Sequence, residues 1–164
     1  MLFRGSTALN LDAKGRMALP ARYREGVRDR CDGQMVVTIP LHNGKEDEGR
    51  CLVLYTLPHW EVIEQQIDGL SYTKSNQEVR RIVLGNAAEV DMDSKGRIML
   101  PAVLRGYAGL NKEAGDNGDN KIMLIGLGKK FEIWAEDRWE LRQEAFLNQF
   151  DMAEMSEELQ SLQM

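Results

Sequence analysis

Several features that would place the chain in a membrane or outside the cell are missing from the sequence. No run of about 18 apolar residues occurs, so the sequence predicts no membrane-spanning helix. The N-terminal segment lacks an apolar core followed by a small-residue cleavage site, so we expect no secretory signal. Cysteine is rare, and its two copies, Cys31 and Cys51, form no CxxC motif. They are most simply free, buried thiols of a cytoplasmic protein.

Motifs of catalysis and metal binding are missing as well. The chain has two histidines, His42 and His59, and contains no Ser-His-Asp, HExxH or CxxC pattern. The segment 126–128 is a GxG without a third glycine, which is weak evidence for phosphate binding. The sequence therefore predicts that the chain is not an enzyme and has no cofactor, no metal ion and no small-molecule substrate.

Charge is unevenly distributed in an otherwise ordinary globular composition, which has 43% hydrophobic and 29% charged residues. The net charge is −5, which taken alone argues against a nucleic-acid partner. Residues 4–24 nevertheless carry five basic residues and one acid, a local charge of +4, whereas residues 131–164 have a local charge of −7. Such a basic head can bind an acidic molecule. Chance clustering is the alternative that charge alone leaves open.

The chain contains one internal repeat. LDAKGRMALPARYR, at 11–24, matches MDSKGRIMLPAVLR, at 92–105, with eight identities in fourteen positions and an offset of 81. A looser similarity continues, because LVLYTLPHW at 52–60 resembles FEIWAEDRW at 131–139. Each half also carries a polar insertion, at 41–50 and 112–121, and both indicate loops. A unit that occurs twice predicts two similar halves.

The two halves share one predicted order of local elements, β-turn-β-α-β-β. An alternating strand at 7–11 leads into a turn at 12–16, where Asp12 can accept backbone hydrogen bonds and Gly15 can adopt a positive φ. A short strand and a helix beginning at Pro20 follow. Two β-branched and aromatic runs on either side of the insertion complete the unit as a hairpin.

The predicted fold class is mixed α+β and mainly β. Each half is too small to bury a core alone, so we expect the halves to pack as an intramolecular pseudo-dimer with peripheral helices. The predicted units are a first domain at 6–59, a helical linker at 60–86, a second domain at 87–138 and an acidic C-terminal helix or tail at 139–164.

Helices are predicted between and after the halves. Pro58 begins one, and the segment 75–78 resembles a capping box that begins another. A third is expected at 136–150. The tail then places apolar residues at spacings of three, four and three, namely Met152, Met155, Leu159 and Leu162. This seam can pack against the chain's own body or against a neighbouring subunit, and the sequence favours neither.

The doubled D-x-K-G-R-(x)₂-L-P motif resembles the SpoVT/AbrB swapped-hairpin family of DNA-binding proteins. Two copies in a chain that opens with Phe3-Arg4-Gly5, together with FEIW at 131–134, are similar to MraZ family transcriptional regulators over 2–150. The resemblance implies two SpoVT/AbrB-like halves in a double-psi or swapped-hairpin, barrel-like core. It also implies a ring homo-oligomer, an octamer or dodecamer, in the cytoplasm and associated with the nucleoid. Such a ring binds double-stranded DNA at promoter direct repeats of the bacterial division and cell-wall gene cluster, usually as an autorepressor.

The chemistry of the motif is recognition, because lysine is a point donor to phosphate and arginine offers a planar fork to phosphate or guanine. The candidate DNA-binding residues are basic and lie in or near the hairpins: Arg4, Lys14, Arg16, Arg22, Arg24, Lys95 and Arg97. The candidate turn-forming residues are Asp12, Gly15, Asp93 and Gly96. The Asp–Arg pairs of the motif can alternatively be internal salt bridges that only hold the hairpins.

The two halves differ in charge. Residues 85–105 carry three basic residues and three acids, and Arg4 and Arg22 of the first half correspond to Gly85 and Val103. We therefore expect the first half to supply most of the attraction to DNA. The alternative function is a ring-forming scaffold whose hairpins bind another protein without reading DNA sequence.

Overall fold

The structure is a computed structural model that describes residues 2–43, 46, 49–111, 120–149, 151, 154 and 156–163. The strands are β1 (Phe3–Asn10), β2 (Arg16–Ala18), β3 (Gln34–Thr38), β4 (Leu52–Thr56), β5 (Ala88–Asp91), β6 (Arg97–Met99), β7 (Lys121–Gly128) and β8 (Lys130–Ala135). The helices are α1 (Ala21–Cys31), α2 (Leu57–Asp68), α3 (Lys74–Val79), α4 (Ala102–Tyr107), α5 (Glu136–Gln149) and α6 (Glu157–Gln160). The helix α3 continues into a π-helical turn at Arg80–Leu84.

Strands from both halves are interleaved in one antiparallel sheet. Its order is β1-β7-β8-β4-β3-β5. The first-half strand β1 pairs along its whole length with β7 of the second half, whereas the second-half strand β5 pairs with β3 of the first. A separate two-stranded ladder joins β2 to β6. Each half therefore completes the sheet of the other, and the mainly antiparallel sheet agrees with the predicted mixed α+β fold that is mainly β.

The predicted local elements are confirmed within the described residues. Along β1 the more buried side chains alternate with exposed ones up to Leu11, which is buried just beyond the strand. Pro20, predicted as the first residue of a helix, is the N-cap of α1, which buries Tyr23 and Val27 as predicted. The strands β3 and β4 form the predicted antiparallel hairpin. The GxG segment ends β7 at Gly128, whose φ of 71° turns the chain into β8.

One apolar core is shared by the two halves. Met17 and Ile98 are fully buried and directly opposite each other in the β2–β6 ladder, although they belong to different halves. The ring of Phe131 stacks on Phe3 at a centroid distance of 4.0 Å and meets Tyr23 edge-on at 5.1 Å. Such aromatic pairs contribute about 0.5–1.5 kcal/mol each beyond the burial of their area. The core thus holds the two halves together as one unit.

Helices cover the sheet in two smaller apolar clusters. Trp60 and Ile67 of α2 pack with Val36 of β3 and with Val83 of the π-helical turn. On α5, the half-buried Trp139 packs on a cluster made by Cys51, Ile125 and Trp134. No helix in the described ranges combines the length and the apolar character needed to cross a membrane.

Two details differ from the sequence predictions. The N-cap of α3 is Thr73, whose Oγ1 accepts a hydrogen bond from the Asn76 N–H at 3.2 Å, so the predicted capping box at 75–78 is wrong by two residues. Cys51 is buried, but Cys31 is only half-buried. Both cysteines are free thiols, as predicted.

The predicted apolar seam is only partly within the described residues. Met152 and Met155 lie outside them, as do Phe150 and most of the insertion at 112–121. Leu159 and Leu162 are exposed, so these two residues do not pack in the core of the chain.

Candidate nucleic-acid interface

The first motif folds as a tight turn that is organised by the Asp12 carboxylate. Its Oδ1 accepts hydrogen bonds from the backbone N–H groups of Lys14, at 3.0 Å, and Arg16, at 2.9 Å. Its Oδ2 accepts one from Arg16 Nε at 2.6 Å. Gly15 has a φ of 79°, in the left-handed region that favours glycine. The motif therefore holds its own arginine at a defined position beside the turn.

The second motif repeats this geometry. Asp93 accepts backbone hydrogen bonds from Lys95 and Arg97, both at 2.9 Å, and one from Arg97 Nε at 2.8 Å. Gly96 has a φ of 77°. In both turns the pKa of the aspartate is lowered. The main cause is the hydrogen bond from the arginine backbone N–H to the carboxylate, followed by the hydrogen bond from the arginine side chain. Both aspartates thus accept backbone hydrogen bonds within their turns, and each also makes the internal salt bridge that the sequence left as an alternative.

The two hairpins interlock at the centre of the molecule. Leu19 N donates to Gly96 O at 2.8 Å, and Leu100 N donates to Gly15 O at 3.0 Å. These bonds extend the β2–β6 ladder at both ends, so each turn is anchored to the strand of the other half. The two turns lie at opposite ends of the ladder, about 13 Å apart at the usual rise of a strand.

One face of this ladder is basic and accessible to solvent. Arg16 lies opposite Met99, and Arg97 lies opposite Ala18, while the intervening Met17–Ile98 pair faces the core. The two arginines are therefore diagonal neighbours, about 7–8 Å apart. Their side chains remain 23% and 30% exposed although each contacts its aspartate.

Exposed lysines continue this face at both ends. Lys14 belongs to the turn at one end of the ladder, and Lys95 to the turn at the other. We refer to Lys14, Arg16, Arg97 and Lys95 as the basic ridge. It brings together four of the seven predicted DNA-binding residues.

Arg24 and Arg105 each contact both hairpins. Each side chain donates from Nε to a carbonyl of its own half, Arg24 to Leu19 at 2.7 Å and Arg105 to Leu100 at 3.0 Å. Each guanidinium then covers the glycine of the opposite turn. A Cβ added to Gly96 would lie 2.3 Å from Arg24 Nε, and a Cβ added to Gly15 would lie 2.4 Å from Arg105 Cζ. Arg24 therefore lies beside the ridge, and its Nε already donates to Leu19 O.

Arg4 and Arg22 lie away from the basic ridge, along β1. Arg4 is six residues before Asn10 on β1, about 20 Å from the hairpin end of that strand. Arg22 donates from Nη2 to Thr7 Oγ1 at 2.9 Å, and its guanidinium lies 4.7 Å from the ring centroid of Tyr23. These two arginines form a second basic group along β1.

Two arginines near the ridge are missing from the sequence prediction. Arg105 aligns with Arg24 in the repeat, and that identity is the signal that could have identified it. Arg28 donates from Nη2 to Ser94 O at 3.1 Å, which joins α1 to the second turn. Its counterpart in the second half is Gly109, so the repeat contains no signal for this contact.

Comparison with known proteins agrees with the duplicated architecture. The chain matches the family model of the MraZ protein, whose description also likens it to antitoxins, once over residues 2–81 and again over residues 83–162. It is 45% identical over 147 residues to the transcriptional regulator MraZ of Coxiella burnetii strain Dugway 5J108-111, covering 89% of this chain and 88% of that protein. It is 43% identical over 164 residues to the transcriptional regulator MraZ of Yersinia pestis strain Pestoides F, covering 98% and 99%.

The fold and these relatives define a class of proteins built from two copies of one domain, whose curated members are named transcriptional regulators. Within it, the chain belongs to the MraZ family. The resemblance that the doubled motif indicated is therefore confirmed, and so is the prediction that the chain is not an enzyme, because the relatives are named for regulation.

Proposed function

We infer that this protein is a transcriptional regulator that binds promoter DNA through the basic ridge. The observation that carries the inference is the pair of interlocked turns, which places four cations on one accessible face of a two-stranded ladder. The major groove of B-DNA, about 12 Å wide, admits a two-stranded β-ribbon. The cross-paired strands support a swapped-hairpin interpretation of the fold, with domains at 6–59 and 87–138.

In the proposed complex, the lysines bind phosphates and the arginines bind bases. Lys14 and Lys95 bind phosphates on either side of the groove, because an ammonium is a compact donor without a preferred plane. Arg16 and Arg97 donate to the O6 and N7 atoms of guanine, which takes a bidentate fork. Asp12 and Asp93 act as positioning residues that fix each guanidinium before DNA arrives, which lowers the cost of ordering these side chains on binding.

The remaining predicted residues extend the contact away from the ridge. Arg4 and Arg22 neutralise phosphates along β1, and Arg24 keeps the second turn in place while facing the same DNA. The first half therefore supplies more positive charge than the second. Binding of this kind is strongly salt-dependent, because each phosphate contact releases counterions.

Assembly as a ring explains how a chain with a net charge of −5 can bind DNA tightly. Neighbouring subunits of an octamer or dodecamer present successive ridges to one duplex, so direct repeats about 10 bp apart lie on the same side of the DNA. The second contact is then intramolecular, with an avidity gain of about 10²–10⁴. The proposed targets are direct repeats upstream of the division and cell-wall gene cluster, repressed by a ring on the nucleoid.

A fluorescence-anisotropy titration with duplexes that carry one, two or three promoter repeats tests this function. We expect tight binding only to several repeats in helical phase, and weak binding to one repeat or to repeats moved by half a turn. The double variant R16A/R97A loses the preference for repeats, whereas K74A, which removes an exposed lysine at the start of α3, keeps it. Equal affinity for promoter and random duplex at the same salt concentration would refute the proposal and favour the scaffold.

A further inference from the structure

A group of potential metal ligands lies away from the basic ridge, where the two halves meet. His42 follows β3, Cys51 precedes β4, and Glu132 lies on β8 of the second half. The ligating nitrogen, sulfur and oxygen atoms of these residues all lie within 4.8 Å of one another. The closest pair is His42 Nε2 and Glu132 Oε1, at 3.0 Å.

The Glu132 carboxylate is unusual because it is almost completely buried, with 7% of the residue exposed. Its Oε2 accepts a hydrogen bond from Trp134 Nε1 at 2.9 Å, which fixes the plane of the carboxylate. Its Oε1 faces His42, whose side chain is half exposed. A buried carboxylate is costly unless a cation or donors compensate it, and here Trp134 Nε1 contacts one oxygen and the His42 ring the other.

The Cys51 thiol completes the group from inside the core. Cys51 is fully buried, and its sulfur lies 3.3 Å from Asn43 Oδ1. The Asn43 amide also donates to Cys51 O at 2.9 Å and to Tyr107 Oη at 3.0 Å, so the backbone on both sides of the insertion is fixed next to the thiol. Three potential ligand atoms of different types thus lie close together, and His42 is the half-exposed member of the group.

We propose that His42, Cys51 and Glu132 bind one zinc ion, which joins the first-half insertion to the second-half strand β8. Sulfur, imidazole nitrogen and carboxylate oxygen together favour zinc among common cellular cations, since magnesium and calcium prefer oxygen alone. Three protein ligands leave a fourth position, which points to solvent and takes a water molecule. This site departs from the sequence prediction of no metal, and it goes beyond the proposed function.

Zinc binding requires small shifts of the three ligand atoms from their positions in the structure. Zinc binds nitrogen and oxygen at about 2.0–2.2 Å and sulfur at about 2.3 Å, so tetrahedral donor atoms lie about 3.5 Å apart. His42 Nε2 and Glu132 Oε1, which lie 3.0 Å apart, must move apart by about 0.5 Å, and a separation near the 4.8 Å limit must shorten by about 1 Å. His42 can supply that movement because it lies in a turn between β3 and β4 and is half exposed.

Zinc binding includes one proton transfer. Zinc binds the thiolate form of cysteine, so the Cys51 thiol must lose its proton when the metal binds. The sulfur forms its bond to zinc as the S–H bond breaks, and the proton passes to the solvent buffer. One proton from Cys51 is therefore released for each zinc ion bound.

Titration of the full chain with cobalt(II), a spectroscopic substitute for zinc, tests the site directly. We expect one cobalt ion per chain, with a thiolate-to-cobalt charge-transfer band that added zinc abolishes. Zinc should also raise the unfolding temperature of the wild-type chain. The matched controls are C31S and H59A, which remove the other cysteine and the other histidine and should bind metal like the wild type.

The variants H42A and C51S decide the outcome. Both should lose stoichiometric metal binding and the zinc-dependent rise in unfolding temperature, and H42A is the more informative because its half-exposed side chain is removed without opening the core. Absence of a charge-transfer band, or unchanged metal affinity of H42A, would overturn the proposal. DNA binding is measured separately on promoter repeats, so failure of the zinc site is distinguishable from failure of the proposed function.

Discussion

Replacement of Gly15 by alanine should destabilise the interlocked hairpins. The loss of unfolding free energy follows from the backbone conformation of Gly15 and from its contact with Arg105. Alanine at a φ of 79° meets the steric cost of the left-handed region, about 1–2 kcal/mol. Its Cβ would also lie 2.4 Å from Arg105 Cζ, so the guanidinium must leave. Arg105 Nε then loses its hydrogen bond to Leu100 O, a loss of about 1 kcal/mol. The free energy of unfolding should fall by about 2–3 kcal/mol in total.

A double-mutant cycle with R105A separates the two contributions. In the wild-type background, R105A should cost about 1–2 kcal/mol because it removes the hydrogen bond to Leu100 O and the one from Arg105 Nη1 to Asn111 Oδ1. In the G15A background the bond to Leu100 O is already lost, so R105A should cost about 1 kcal/mol less. The assay is equilibrium unfolding in urea of the four chains, together with binding to promoter repeats, which G15A should weaken because Lys14 and Arg16 flank the altered residue.

Gly106→Ala is the control within the same cycle. Gly106 lies in α4 with a helical φ, and the nearest atom to an added Cβ is Asn111 Nδ2 at 3.9 Å. This substitution should stabilise the chain by about 0.5–1 kcal/mol, as is usual for glycine in a helix. If G15A proved as harmless as G106A, or if R105A cost the same in both backgrounds, the proposed contact between the halves would be refuted.

The remaining predictions concern the basic ridge. R16A should weaken binding to promoter repeats by about 5- to 150-fold per site, the equivalent of one base contact, with unchanged circular dichroism; native affinity would contradict this. K14A should weaken binding more than K95A, and each should reduce the log–log salt slope by about 0.9 in anisotropy titrations; equal losses would show that both halves attract DNA alike. Because folding lowers the pKa of Asp12 and Asp93, both stabilise the fold above their ordinary pKa of 3.8, and this contribution disappears as the pH falls through their lowered values. In the double variant D12N/D93N, the free energy of unfolding should therefore fall less steeply as the pH is lowered. An unchanged pH dependence would contradict the stabilising role of the two aspartates.

Much of the candidate interface was predictable because its geometry is local. The Asp12 carboxylate reaches N–H groups only two and four residues further along the chain, so the turn depends on residue types and spacing within one short segment. The same holds for Asp93. The repeat then predicted that whatever the first motif forms, the second also forms, and both turns agree.

Helix boundaries and side-chain contacts followed less closely from the sequence. The segment 75–78 matches a capping box, but α3 begins earlier because Thr73 supplies the cap. Arg24 is one more cation in the sequence, whereas in the structure it covers Gly96 of the other half. That contact depends on where α1 is placed relative to the second turn, and no local pattern records this.

The sequence by itself determined the two turns, the duplicated elements and the basic character of the first half, because these depend on hydrogen bonds and charges between near neighbours. Only the tertiary structure decided that β1 pairs with β7 and β5 with β3. A repeat is equally compatible with two halves that each close on themselves. Cross-pairing prevails in the structure, where it buries Met17 against Ile98 and Phe3 against Phe131, apolar surfaces that neither half could cover alone. The same long-range packing brought His42 to Glu132, 90 residues further along the chain.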